Sequence, residues 1–225
     1  MAPRNRTGQS GWTPSPVPGL DPGAVEVLQR AGGVVVDARP RRTFAAGHLP
    51  GSVNIGLDED FATYLGWLFP LDTRFALVLE EGQDATDASR AAARVGIETI
   101  VGWLQGGVAA WARSGRALRR YPVISFDELS SRLQAGAARV LDVRQTAEWE
   151  AGHIPGARHV HVPDLPARLG ELGDGATIHV HCAKGYRAAL AASLLDAAGI
   201  PVVAVDGAFE DWVAGGHPVS LAGEE

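Results

Sequence analysis

The chain has 225 residues, 46% of them hydrophobic, enough to bury a full core in one large or two ordinary domains. A formal net charge of -6 argues against a general nucleic-acid binder, no apolar run approaches the roughly 18 residues of a membrane span, and the first 20 residues hold no signal-peptide core. The expectation is a cytoplasmic protein with no nucleic-acid and no membrane partner. The charge is unevenly shared: residues 1–120 carry 13 basic against 12 acidic side chains (+1), and residues 121–225 carry 7 against 14 (-7).

Taken in chain order, residues 1–20, with Pro3, Pro14, Pro16 and Pro18 among several glycines, read as a flexible leader. Asp21-Pro22 supplies an N-cap and a first-turn proline for a helix that Gly32-Gly33 ends. An apolar strand over 34–36 runs into Asp37-Ala38-Arg39, and Gly47-His48-Leu49-Pro50-Gly51 forces a tight turn before a second strand over 52–55. Tyr64, Leu65, Trp67 and Phe69 form a cluster too apolar for a loop, which points to packing between domains, with the surface for a missing partner as the alternative. A strand over 76–79, a long helix ending at Gly96, a short strand and a Gly106-x4-Trp111 helix complete this half.

The same series then recurs. Ser125-x-x-Glu128 is a capping box. Val140-Leu141-Asp142-Val143-Arg144 and Ala151-Gly152-His153-Ile154-Pro155-Gly156 match the first half at an offset of 105, Ile178-His179-Val180-His181 matches at 102, and Gly207-x4-Trp212 at 101. Two homologous α/β domains follow, 21–120 and 121–225, each a parallel sheet with helices on both faces.

The only cysteine, Cys182, and the only lysine, Lys184, share one hexapeptide, Cys182-Ala183-Lys184-Gly185-Tyr186-Arg187, between an apolar strand and an Ala/Leu-rich helix. A lone thiol makes no intramolecular disulfide, and a buried core cysteine is its plain alternative role. Here the amides of a helix N-terminus, Lys184 and Arg187 all favour the thiolate over the thiol, which otherwise ionises near pH 8.5. Asp142 and Arg144 recur as Asp37 and Arg39 in the half without cysteine, so they read as structural support, and His48 and His153 as turn residues. His159-x-His161 and His179-x-His181 raise zinc, but a ligating Cys182 would be consumed and His181 alternates with it along the strand. No metal and no cofactor are assigned.

These residues resemble the rhodanese family of sulfurtransferases over about 200 of the 225 residues, as two tandem domains. The resemblance implies five-stranded domains in which Cys182 follows the central strand and the loop cradles sulfur. It implies transfer of sulfane sulfur from thiosulfate or a low-molecular-weight persulfide, through a Cys182 persulfide, to a thiol or cyanide; a persulfide carrier or sensing module without turnover is the alternative. Lys184 would attract an anionic donor, Gly185 allow the tight path, Tyr186 shape the mouth or simply pack, and Arg187 order the loop by bonding its carbonyls, with donor contact second. At Glu148 some two-domain rhodaneses place a substrate-binding arginine, so its acid would weaken thiosulfate binding. Phosphatases and arsenate reductases of this fold carry a longer Cys-x5-Arg loop than Cys182-x4-Arg187. The first half, with Glu80 aligned to Cys182, resembles an inactive rhodanese domain. The stretch from Asp60 to Pro70 is similar to rhodanese repeats fused behind metallo-β-lactamase-like hydrolases, persulfide dioxygenase relatives included, which implies a persulfide-metabolising enzyme as a partner; the His-x-His-x-Asp-His motif of such hydrolases is not in this sequence.

Overall fold

The Asp21 carboxylate accepts the Ala24 amide at 2.9 Å and Pro22 occupies the first turn, so the chain enters α1 (Pro22–Arg30) with its orphan donors satisfied. The valine run that follows becomes β2 (Val34–Asp37), and the first unit continues as α2 (Arg41–Ala46), β3 (Val53–Asn54), α3 (Phe61–Leu68), β4 (Phe75–Val78), α4 (Ala85–Ala93), β5 (Ile100–Leu104) and α5 (Gly107–Arg113), preceded by β1 (Gly19–Leu20). The second comprises β6 (Val123–Ile124), α6 (Phe126–Gln134), β7 (Arg139–Asp142), α7 (Thr146–Glu150), β8 (Arg158–His159), α8 (Leu165–Arg168), β9 (Ile178–His181), α9 (Tyr186–Ala197), β10 (Val202–Val205) and α10 (Phe209–Ala214). The computed structural model describes residues 16–58, 60–221 and 223.

The two sheets have the strand orders β1-β5-β4-β2-β3 and β6-β10-β9-β7-β8, and every neighbouring pair is parallel. All carboxyl ends therefore lie along one edge of each sheet, where open α/β sheets place their sites. Most of the expected leader, residues 1–15, lies outside the described residues. Gly19 and Leu20 do not belong to a leader: they pair with Trp103 and Leu104, and the Trp103 and Gln105 amides donate to the carbonyls of Pro18 and Leu20 at 3.0 and 2.9 Å. An edge strand tolerates the adjacent proline because nothing needs its missing N–H.

The repeated motifs are structural devices in both units. Arg39 Nη2 donates to Asp37 Oδ2 (2.6 Å) and to the Gly47 carbonyl (2.9 Å), and Arg144 Nη2 to Asp142 Oδ2 (2.6 Å) and the Gly152 carbonyl (2.7 Å). Each pair ties a strand end to the Gly-His turn. Trp111 and Trp212 donate their indole N–H to carbonyls six residues on, those of Ala117 and Pro218. The capping box at Ser125 is only half formed: Ser125 accepts the Glu128 amide, but the Glu128 carboxylate pairs with Arg132 at 2.7 Å, a better partner than a backbone N–H.

One core runs through both units, with Phe61, Leu65 and Leu77 of the first continuous with Cys182, Leu190 and Leu195 of the second. Residues 188–196 of α9 are all buried, and the Asn54 amide of β3 donates to Ser193 Oγ at 2.9 Å. Asp196 on the same helix accepts Arg119 through both carboxylate oxygens at 2.7 Å and faces His48 Nε2 at 3.1 Å. Of the apolar cluster on α3, Tyr64 and Leu65 are buried as expected of domain packing, Phe69 meets Phe75 edge-on within its own unit, and Trp67 is 53% exposed.

The ladders correct one alignment. Asp37 pairs with Val78 as Asp142 pairs with His181, so the residue in the place of Cys182 is Leu79, not Glu80. Gly82, with φ +89°, then falls on Gly185, with φ +84°. The step from Asp37 to Val78 is 41 residues and that from Asp142 to His181 is 39, so the offset falls from 105 to 103 at these strands rather than to 102.

Candidate active site

Cys182 is the first residue after β9, on the carboxyl edge of the second sheet. The chain doubles back over four residues and enters α9 at Tyr186, through a left-handed Gly185. A Cβ at Gly185 would stand 2.5 Å from Asp206 Oδ1 and 3.2 Å from the Arg41 guanidinium, so the position excludes any side chain. The result is a cradle: the Gly185 and Ala188 amides both donate to Cys182 Sγ, at 3.2 and 3.3 Å. These are first-turn donors of a 12-residue helix, aimed at sulfur and suited to an anion. Sγ lies deep, with Cys182 1% exposed. The Ala183 carbonyl accepts the Phe209 amide at 2.9 Å and fastens the loop to α10.

The other predicted residues divide around this cradle. Lys184 is exposed and forms no ion pair among the described residues. Tyr186 leans on the first unit: its hydroxyl donates to the Gly56 carbonyl at 3.4 Å, and its ring lies 5.3 Å from that of Tyr64. Burial keeps both phenols protonated, pushing Tyr64 up to about 12 and Tyr186 well above its ordinary value. Arg187 does not bond the loop carbonyls. It makes a two-pronged pair with Glu148, Nη1 to Oε2 at 2.5 Å and Nη2 to Oε1 at 2.8 Å. Glu148 is held for this by its own helix, since its Oε2 also accepts the Gln145 amide at the start of α7 (2.9 Å). The Arg187 hydrogen bond holds the Glu148 carboxyl below its usual range, and the same bond raises Arg187.

Asp142 and Arg144 lie behind the loop. Asp142 is fully buried and lies 3.4 Å from His181 Nε2, and Arg144 stacks 3.9 Å over the Phe209 ring. His181 faces Phe126 and Phe209, on the side of the sheet away from Cys182, and burial pushes it down to about 4. It is neutral at physiological pH and is no base for the thiol. The remaining histidines do not converge: His159 Nε2–H donates to the Arg144 carbonyl and His179 meets Arg132. Among the described residues no group of three or more His, Cys, Asp and Glu is arranged to hold a metal ion.

Sequence reasoning missed three residues that the fold brings to the loop. Arg41 and Arg42, at the start of α2, cross to Asp206, which follows β10: Arg41 Nε to Oδ1 at 2.9 Å and Arg42 Nε to Oδ2 at 2.6 Å. Burial opposes the Asp206 charge, but the Arg42 and Arg41 bonds hold its carboxyl below the ordinary range. A cleft of about 330 Å³ opens beside them, lined also by Asn54, Asp58 and Tyr186. The available signal was the charge asymmetry between the halves, a paired arginine in the more basic one facing an acidic partner.

The rhodanese-like domain family matches residues 21–114 and again residues 125–215. The chain belongs to the rhodanese-like domain family. Over 98 residues it is 36% identical to the HTH-type transcriptional regulator Rv0324 of Mycobacterium tuberculosis, covering 43% of each chain. Over 93 residues it is 30% identical to the putative sulfur carrier protein YrkF of Bacillus subtilis, covering 40% of this chain and 50% of that one. The chain thus spans about half the length of these curated relatives. Among solved structures, it is similar to a thiosulfate sulfurtransferase from Pseudomonas aeruginosa (22% identity, 91% of this chain and 44% of that chain, TM-score 0.39) and to a rhodanese-related protein from Thermoplasma volcanium (31%, 45% and 99%, TM-score 0.42). No helix among the described residues is long and apolar enough to cross a membrane.

Proposed function

We propose that the second rhodanese domain moves sulfane sulfur through a persulfide on Cys182. The observation that carries this is the pair of amides on Sγ at 3.2 and 3.3 Å, in a loop sized for a sulfur atom and anchored where α9 begins. The Cys182 thiolate attacks the outer sulfur of thiosulfate or of a low-molecular-weight persulfide; the old S–S bond breaks, and sulfite or a thiolate leaves with the electron pair. The new terminal sulfur carries the negative charge that the loop amides can hold. A thiol or cyanide then attacks that sulfur, and Cys182 leaves as thiolate. Lys184 draws the anionic donor, and the Tyr186–Tyr64 wall limits the size of what enters.

A second reading, a persulfide carrier acting with a separate hydrolase or dioxygenase, is favoured by one feature: Glu148 occupies Arg187, so that cation is not open to a donor anion. It agrees with the sulfur-carrier relative. Mass spectrometry after incubation with thiosulfate, glutathione persulfide or mercaptopyruvate tests the shared step. One added sulfur atom is expected, on Cys182 only, and none on Cys182→Ser. Multiple-turnover formation of thiocyanate from thiosulfate and cyanide separates the enzyme from the carrier. A wild-type protein that takes up no sulfur from any donor overturns both readings.

A further inference from the structure

The domain without a cysteine lends the loop two charges. Asp206 Oδ1 stands so close to Gly185 that a Cβ would meet it at 2.5 Å, and Gly185 supplies one of the two amides on sulfur. Adding the 3.2 Å Sγ–N contact and the intervening bonds places this carboxylate within roughly 8 Å of Sγ. Left alone, a negative charge there opposes any anion on Cys182, thiolate or persulfide. It is not left alone. Arg41 and Arg42 bind one carboxylate oxygen each, from 165 and 164 residues away in the chain, and Asp206 has a side chain only 7% exposed.

We propose that the first domain serves the sulfur site by charge: Arg41 and Arg42 neutralise Asp206 and so keep the Cys182 loop receptive to anionic sulfur. This rests on Cys182 as the carrier of that anion. The two arginines are positioning residues, acting through Asp206. The other charged and titratable groups around Sγ are Lys184, Arg187 with its partner Glu148, Tyr64 from α3, Tyr186 with Asp58 and Asp60 of the first unit beside it, and Asp142 with Arg144 and His181 behind the strand. None of them changes in the variants below.

The signature is a pair of shifts of opposite sign. Cys182 is the only thiol, so the pH dependence of its alkylation by iodoacetamide reports this site alone. A unit charge at roughly 8 Å moves the midpoint by about 0.4 to 1.5 pH units for effective dielectrics between roughly 80 and 20. Asp206→Asn is expected to lower the midpoint, Arg41→Ala/Arg42→Ala to raise it, and the triple variant to fall between wild type and the double. Arg41→Lys/Arg42→Lys, which keeps the charge, is expected to restore the wild-type midpoint. If the double alanine variant does not fold, Asp206→Asn decides alone, with an upward or absent shift overturning the proposal. Midpoints that move the same way in Asp206→Asn and the double variant also overturn it, because a purely structural latch degrades the loop from either side. Alkylation needs no sulfur donor, so this result stands apart from whether Cys182 takes up sulfur.

Discussion

Glu148→Gln tests the division of labour between the two cations of the loop. Glutamine keeps the length of the side chain and an oxygen for the Gln145 amide, so α7 retains its cap, but the charge that neutralises Arg187 is gone. A carboxylate and a thiosulfate dianion roughly 7 Å apart repel by about 1.2 kcal/mol in a water-like dielectric, a factor of about 7. The expected result is a KM for thiosulfate about 7-fold lower at low ionic strength, with the gain vanishing toward 1 M salt, where the Debye length is about 3 Å, and no gain with a neutral donor. Stability moves the other way. Because Arg187 holds Glu148 below its ordinary value of 4.5, the pair contributes fully above that pH and is lost as pH falls through the lower folded value. Urea unfolding at pH 7 should therefore show the variant about 1 kcal/mol less stable, Glu148 being a third exposed, with the difference closing on acidification. A thiosulfate KM that rises, or equal changes for charged and neutral donors, would refute the account of Glu148 as a brake on Arg187.

Lys184→Ala should raise the KM for thiosulfate several-fold and weaken its salt dependence, read from initial rates across ionic strength; an equal loss with a neutral donor would make Lys184 a builder of the loop instead. Leu79→Cys in a Cys182→Ser background places a thiol at the true counterpart of Cys182 and should still take up no sulfur by mass spectrometry, since the loop after it carries Glu80, Glu81 and Asp84 in place of Lys184 and Arg187, and Gln83 spans that loop to the Ala38 carbonyl at 2.8 Å. Asp196→Ala, which strands Arg119 and His48 at the junction of the units, should cost about 2 to 3 kcal/mol in urea unfolding with a single transition; two separate transitions would show that the units do not share one core.

Much of the site was legible because its chemistry is local. Cys182, Lys184, Gly185 and the start of a helix fall within six residues, and the glycines and prolines of the turns repeat at nearly constant spacing. What failed was non-local. Glu80 was aligned to Cys182 by likeness of the preceding residues, whereas the place is set by which strand residues pair, Asp37 with Val78 and Asp142 with His181. Arg187 was expected to serve its own loop, but a carboxylate 39 residues earlier offers a charged, two-pronged partner that outcompetes carbonyls. Arg41 and Arg42 stand 165 and 164 residues from Asp206, so no window of sequence holds them together.

The helix that begins beneath the cysteine is buried along residues 188–196, held between the two homologous units by apolar contacts and by the polar bonds of Ser193 and Asp196. A surface helix shows one oily stripe to one core; over residues 188–196, α9 has no outside. The first unit, which holds no cysteine, supplies one wall of the space this helix fills. Removing it would leave alanines and leucines of α9 facing water, so the second unit depends on the first for solubility whatever Cys182 does. A substitution at a first-domain contact such as Asn54 is then felt in a helix that domain does not contain.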